Sequence, residues 1–217
     1  MNKVFEIVSE DQYFLVLNKI ARIVVQPSPK KEKRTLTSLL EKHLKEKIYI
    51  CHRLDKNTQG LIIYAKSKQI HKNITGQFRK REVKKKYLAL TEGNFKKNKG
   101  VFKGLILDKE GRKFKEKPKK SETSYKVLKR CKGFDFIELI PKTGRTNQIR
   151  IHLAQAGHPI LGEKKYAFRR DFMIKFNKLA LCAYWLKLRH PVSSQQIMVK
   201  IGVPEYMKNF IEKGRRL

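Results

Sequence analysis

After Gly60 the chain runs through "LIIYAK", a near-continuous apolar segment of strand length, and then places Ile70, Ile74 and Phe78 four residues apart in a polar background. The first pattern predicts a strand and the second a helix. This stretch is therefore expected to fold as loop, strand and helix in succession. Neighbouring segments obey the same two periods. "YFLVLNK" and "RIVVQP" read as two short strands joined tightly near the N-terminus, and "KKYLALTEG" and "FDFIELIP" alternate as strands do. Between them, "GLILDKEGRKFKEKPKKSETSYKVLKR" reads as short strands around a glycine turn. "TLTSLLEKHL" puts Leu36, Leu39, Leu40 and Leu44 on one helical face, with Thr35 or Thr37 as cap, after the loop "PSPKKEKR". "TGRTNQIRIHLAQAGHPI" is a turn followed by a short helix carrying Ile149, Leu153 and Ala156, which stops at Gly157 with Pro159 just beyond. The tail reads as two strands about "HPVSSQ" and a last short helix. Strands and helices without regular alternation, and without internal repeats, predict an α+β fold: one domain spanning residues 1–217, with a central mixed, largely antiparallel β-sheet flanked by helices and loops.

Charge narrows the partners. The chain holds 52 Lys and Arg against 19 Asp and Glu, a formal net charge of +33 spread along its whole length. Such a field favours polyanions, because each phosphate neutralised by a cation releases condensed counterions. Lysine together with asparagine and isoleucine is also what an AT-rich genome supplies, which is the rival account of part of the charge. Residues 96–120 carry eleven Lys or Arg and only Asp108, Glu110 and Glu116, which suits either a solvated face or a phosphate-tracking loop. No long apolar run stands apart from the core pattern, so a membrane partner is not expected.

Several chemistries lose their support. Cys51, Cys131 and Cys182 are odd in number and contain no C-x-x-C, which argues against a disulfide framework and for a reducing compartment. The six histidines include no H-E-x-x-H and no close Cys/His grouping, so no metal is expected. Neither a G-x-S-x-G elbow nor a phosphate-cradling G-x-x-x-x-G-K-[ST] loop is present. The N-terminus interrupts its apolar residues with charges, unlike a secretory signal, and a cytoplasmic location is expected. What remains is Asp55 in "HRLDKNTQG" and the turn "KTGRTNQIR". On spacing alone, an aspartate before Asn-Thr-x-Gly is more often a turn-former than a catalyst.

Taken together, the two segments resemble the signatures of the RluA-type pseudouridine synthases. "HRLDKNTQGLIIYAK" resembles that family's HRLD-x-x-T-S-G-L-L-x-x-A-K, and "KKYLALTEG" its K-x-Y-x-A-x-x-x-G strand. "GRTNQIRIHLAQAGHPILGEKKY" resembles G-R-T-H-Q-I-R-x-H followed by G-H-P-I-x-G-D-x-x-Y, and "FLVLNKIARIVVQP" resembles the family's opening. The resemblance runs in order over nearly the whole chain. It implies that uridine within ribosomal or transfer RNA is isomerised to pseudouridine, breaking the N1–C1′ bond and rejoining the base through C5, with no cofactor and no metal. It further implies an active-site cleft across the sheet and a chain acting as a monomer. Asp55 is then the catalytic carboxylate, Arg150 the cation that keeps it ionised, and Tyr87 the ring lying against the flipped uracil. Arg53 is expected to fill the space that the flipped base leaves, and His52, Arg145, Gln148 and Ile149 to contact RNA. Gln59 stands where the family usually has serine, Asn147 where it has histidine, Ile20 where it has proline, and Cys182 where histidine is frequent. The opening motif lies within the first twenty residues, so the S4-type module of larger members is not expected here. RNA binding is therefore expected from the catalytic body itself. The alternative is a basic RNA-binding or ribosome-associated protein that keeps this fold without turnover.

Overall fold

The computed structural model describes residues 4–20, 22–27, 32, 34–107 and 117–213. In chain order the elements are β1 (Phe5–Glu10), β2 (Phe14–Lys19), α1 (Leu36–Leu44), β3 (Tyr49–Ile50), β4 (Gln59–Ala65), α2 (Lys68–Arg79), β5 (Lys84–Glu92), β6 (Lys99–Ile106), β7 (Lys119–Cys131), β8 (Phe134–Pro141), α3 (Gln148–Gln155), β9 (Leu181–Arg189), β10 (Gln196–Lys200) and α4 (Glu205–Lys213). Two compact units emerge, Met1–Lys85 with Ala183–Gly202, and Lys86–Cys182 with Val203–Leu217.

In the first unit the strands lie in the order β1-β2-β4-β9, with β3 added to β4 and β10 to β9. β4 is the apolar run expected from the sequence, and it is buried from Gly60 to Ala65. One set of its side chains, Leu61, Ile63 and Ala65, packs with Ile70 and Ile74 of α2 and with Phe14 and Val16 of β2. Near-continuous hydrophobicity is what a strand covered on both faces requires. Ser67 caps α2 by accepting from the Ile70 N–H, and Thr35 caps α1 in a reciprocal capping box with Ser38.

One expected hairpin does not form. Residues 22–27 are not a strand; instead the carbonyls of Val24 and Val25 accept from Leu36 and Thr37 N–H, receiving the start of α1. β2 pairs with β1 on one side and β4 on the other, both antiparallel. β1 escaped notice in the sequence because charged residues interrupt its apolar ones, and half of it is solvent-exposed.

In the second unit the order is β5-β8-β7-β6. The β5–β8, β8–β7 and β7–β6 pairs are antiparallel, and a single parallel bridge joins Gly93 to Phe134. The mixed, largely antiparallel α+β character is thus as expected. β7 is one continuous 13-residue strand where the sequence suggested shorter pieces; residues 108–116 of the basic stretch lie outside the described residues. Among the described residues no helix is long and apolar enough to cross a membrane.

Gly60 locks the entry to β4. Its φ is +119°, and a Cβ there would sit 2.2 Å from the Ala183 carbonyl oxygen. Both the backbone and the neighbour exclude a side chain. Gly60→Ala is expected to lower the unfolding free energy by about 3–5 kcal/mol, measurable as a fall in the urea midpoint; an unchanged midpoint would contradict this packing.

Candidate active site

The turn holding Asp55 sits immediately before β4 and is fastened from below by Lys19. Lys19 ends β2, faces Gly60 across the ladder and is 0% exposed. Its Nζ donates to the carbonyls of Lys56 and Thr58, each at 2.8 Å. The turn itself is closed by the Thr58 N–H donating to the Asp55 carbonyl at 3.1 Å. The Asp55 carbonyl thus closes the turn, and the charge of its carboxylate acts on Lys19. Burial pulls the Lys19 pKa down to about 8, and the negative charge of Asp55 opposes that fall. A lysine at the end of an apolar strand thus becomes a tie between the sheet and the Asp55 turn.

His52 and Arg53 flank this turn in different ways. The Ile63 N–H donates to His52 Nε2 at 3.1 Å, and the imidazole lies against Phe78 with centroids 4.6 Å apart. Burial, reinforced by the charge of Lys85 and partly offset by the Arg53 backbone, lowers the His52 pKa to about 3. The ring is neutral at any physiological pH, with its proton on Nδ1, and it serves β4. Arg53 is exposed. The Lys85 amine, displaced towards its neutral form by burial, stands 5.6 Å over the other partner of His52, the Phe78 ring.

The second unit holds the remaining residues named from the sequence. Tyr87 is a buried residue of β5, opposite Leu139 of β8. Gln148 opens α3 with every polar atom engaged. Its Oε1 accepts from Thr143 Oγ1 and the Arg145 N–H, and its Nε2 donates to the Glu122 carbonyl and Thr123 Oγ1. Arg145 Nε donates to the Lys120 carbonyl at 3.2 Å, and Ile149 is buried. The network continues to His152, held between Thr123 Oγ1 and Ser121 Oγ. Since Ser121 donates to the Gly104 carbonyl, it accepts from His152 Nε2–H, leaving Nδ1 to accept from Thr123. Burial favours that neutral ring.

Arg150, only 8% exposed, makes a two-pronged ion pair with Glu163. Nε donates to Oε2 at 2.7 Å and Nη2 to Oε1 at 2.8 Å, while Nη1 donates to Asn147 Oδ1 at 2.7 Å. Tyr166 lies 5.1 Å below the guanidinium. Burial would raise the Glu163 pKa, but Arg150 and the Lys165 and Tyr166 N–H groups outweigh it and hold the carboxyl below its usual value. Asn147 stands at φ +56°, a left-handed conformation that asparagine tolerates well. The departure from histidine therefore gives a residue suited to this turn and bonded to Arg150. Among the described residues no cluster suited to a metal ion occurs.

The sequence reading passed over Lys19 and Glu163. Each had a signal: a lysine closing an apolar strand in "FLVLNK", and the acid of "GEKKY" in the position where the resembling motif carries aspartate.

Comparison with known proteins places the chain by class. A family model described as RNA pseudouridylate synthase matches residues 13–155, and the chain belongs to that family of RNA-modifying isomerases. It is 37% identical over 199 residues to the dual-specificity RNA pseudouridine synthase RluA of Pasteurella multocida, covering 88% of this chain and 89% of that one. It is 34% identical over 223 residues to an RNA pseudouridine synthase of Aquifex aeolicus that is itself uncharacterized, covering 94% and 71%. The fold is similar to that of human RNA Pseudouridylate Synthase Domain Containing 4, with a TM-score of 0.77 at 24% identity over 96% of this chain and 92% of that one.

Two buried ions give testable consequences. Between the folded Lys19 value of about 8 and the usual 10.5, the unfolded chain binds more protons than the folded one. The cost of burying the charge is present in full below that window and is relieved as pH rises through it. The unfolding free energy of wild type minus that of Lys19→Met should accordingly rise across this interval in urea melts; a pH-independent difference would contradict the buried tie. Glu163→Ala strands the Arg150 charge and should destabilise the fold by about 3–5 kcal/mol, read as a lowered melting temperature; a Tm equal to wild type would show that the pair is not holding this turn.

Proposed function

We propose that this protein isomerises uridine to pseudouridine in ribosomal or transfer RNA, with Asp55 as the catalytic carboxylate and all 217 residues acting as one catalytic domain. The observation that carries the reading is the family match over residues 13–155, inside which Asp55, Tyr87 and Arg150 stand in the motif positions of the resembling family. Tyr87 is the residue proposed to lie against the extruded base, and Arg150 the fixed cation of the site. Arg53, exposed two residues before Asp55, is proposed to stack or bond where the base has left. Arg145 is proposed as a phosphate contact.

The chemistry needs an ionised aspartate in surroundings that a docked base dries out, and drying favours the protonated acid. The positive charge of Lys19 on the Asp55 turn supports the ionised form within the first unit. Whether Asp55 attacks the sugar, attacks the base or removes a sugar proton, the balance is the same. The N1–C1′ bond breaks, a C5–C1′ bond forms, the C5 hydrogen leaves as a proton, and N1 gains one. The target must first leave its stack, at a cost of a few kcal/mol that phosphate contacts offset. The high positive charge supports such contacts, and we place the protein in the cytoplasm as a monomer.

Asp55→Asn keeps the size and one acceptor oxygen while removing the charge. It is expected to abolish tritium release from RNA carrying tritium at uridine C5, with RNA affinity in a filter-binding assay within about twofold of wild type. Tritium release at the wild-type rate in this variant would overturn the assignment.

A further inference from the structure

Residues 164–178, between α3 and β9, form a long connection with only one short turn of 3₁₀ helix, at Arg169–Asp171. Connections of this length without regular structure are commonly functional. This one is pinned along its inner side. Phe176 packs edge-to-face on Phe210 at 4.9 Å and lies 6.1 Å from Tyr206, and Phe210 in turn packs on Phe134. The Met173 N–H donates to Glu92 Oε1 at 2.9 Å, and Tyr206 OH donates to the Leu179 carbonyl. Phe172 and Ile174 are half-buried.

The outer side is unlike an ordinary polar loop. Phe168 is 70% exposed and Met173 92% exposed. The same stretch carries the exposed cations Lys164, Lys165, Arg170, Lys175 and Lys178, of which Lys165 lies over the Tyr166 ring and Lys178 over the Tyr206 ring. Asp171 is the stretch's one acid, and it is engaged in the turn: its Oδ2 accepts from the Phe168 N–H at 2.6 Å, and its N–H donates to the Phe168 carbonyl at 2.9 Å. Phe168 is thus held in place while exposed, with the Arg170 guanidinium 5.3 Å from its ring centre. A single exposed aromatic needs no explanation. An anchored aromatic and a methionine set among cations, with no uncommitted carboxylate, match what single-stranded nucleic acid requires: a face for a base and charges for its backbone. A second copy of the chain fits less well, since +33 on each molecule opposes association.

We propose that the outer side of residues 164–178 is a platform for single-stranded RNA outside the reacting nucleotide, with one base stacked on Phe168, an apolar contact at Met173 and phosphates on Arg170 and Lys175. The assignment rests on the reading of this protein as an RNA-modifying enzyme and adds a substrate contact to the residues named from the motifs.

The test uses the full chain and a fluorescein-labelled single-stranded RNA of about 20 nucleotides, longer than a typical single-strand site. Phe168→Ala is expected to weaken binding by roughly ten-fold and to raise KM for tritium release while leaving kcat unchanged. Phe168→Trp should keep the affinity, and RNA should quench its indole fluorescence beyond the quenching seen for wild type, whose one tryptophan is Trp185. Binding by Phe168→Ala within about twofold of wild type, or no added quenching in Phe168→Trp, overturns the platform. Concentration-dependent dimerisation in light scattering that Phe168→Ala removes would assign the surface to a second copy and likewise overturn it. Tritium release bears on the catalytic assignment separately: Phe168-dependent RNA binding by a chain that releases no tritium leaves the platform standing and the chemistry refuted.

Discussion

Everything around the Asp55 turn depends on an ammonium group enclosed at the end of β2. Burying a lysine is unfavourable unless its donors and its charge are met, and Lys19 meets both requirements with two carbonyls of the turn and the negative charge of Asp55. The same contacts that make the lysine tolerable fix the turn on the sheet. Gly60 completes the arrangement by letting the first residues of β4 approach the Ala183 backbone more closely than any side chain permits. The Asp55 segment is therefore a piece of sheet architecture as much as a chemical signature.

The second unit repeats the principle with an arginine. Arg150 is buried in a planar fork with Glu163, stacked on Tyr166 and bonded to Asn147, so its position is set by three neighbouring side chains. Glu163 also gathers the N–H groups of Lys164, Lys165 and Tyr166, which makes the carboxylate the hub of the chain's next bend. Beside it, the Thr143, Gln148, Thr123, His152 and Ser121 groups form a fully directed chain of hydrogen bonds. Gln148 and His152 are polar residues of a binding-type motif, but their donors and acceptors are spent inside the protein. Their hydrogen bonds make rigid the turn that carries Arg145 and Arg150.

Charge acts at a different range from these contacts. A net +33 raises the local concentration of any polyanion but does not distinguish one strand from another. Discrimination needs groups held in fixed positions. Lys19 and Arg150 are locked by burial, and Arg170 sits beside a pinned aromatic. Most of the remaining lysines are solvated, and they suit the non-specific part of binding.

The periods of the sequence determined most elements without help. The apolar run of β4, the fourfold spacing of α2, the capping threonine of α1 and the Gly157 stop of α3 are local properties, and each element lies where its pattern put it. The ordered motifs also carried the family, because they record chemistry and turn geometry together. Tertiary structure decided what local pattern does not encode. It recruited the β-branched run at residues 22–27 to seat α1, paired β2 with an irregular β1, and turned His52 inward as an acceptor for β4. It also gave meaning to Lys19 and Glu163, whose partners the local sequence does not name. A residue's partner in space sets whether its charge is solvated or enclosed, and those partners lie far from Lys19 and Arg150 along the chain: 37 and 39 positions on for one, 13 for the other.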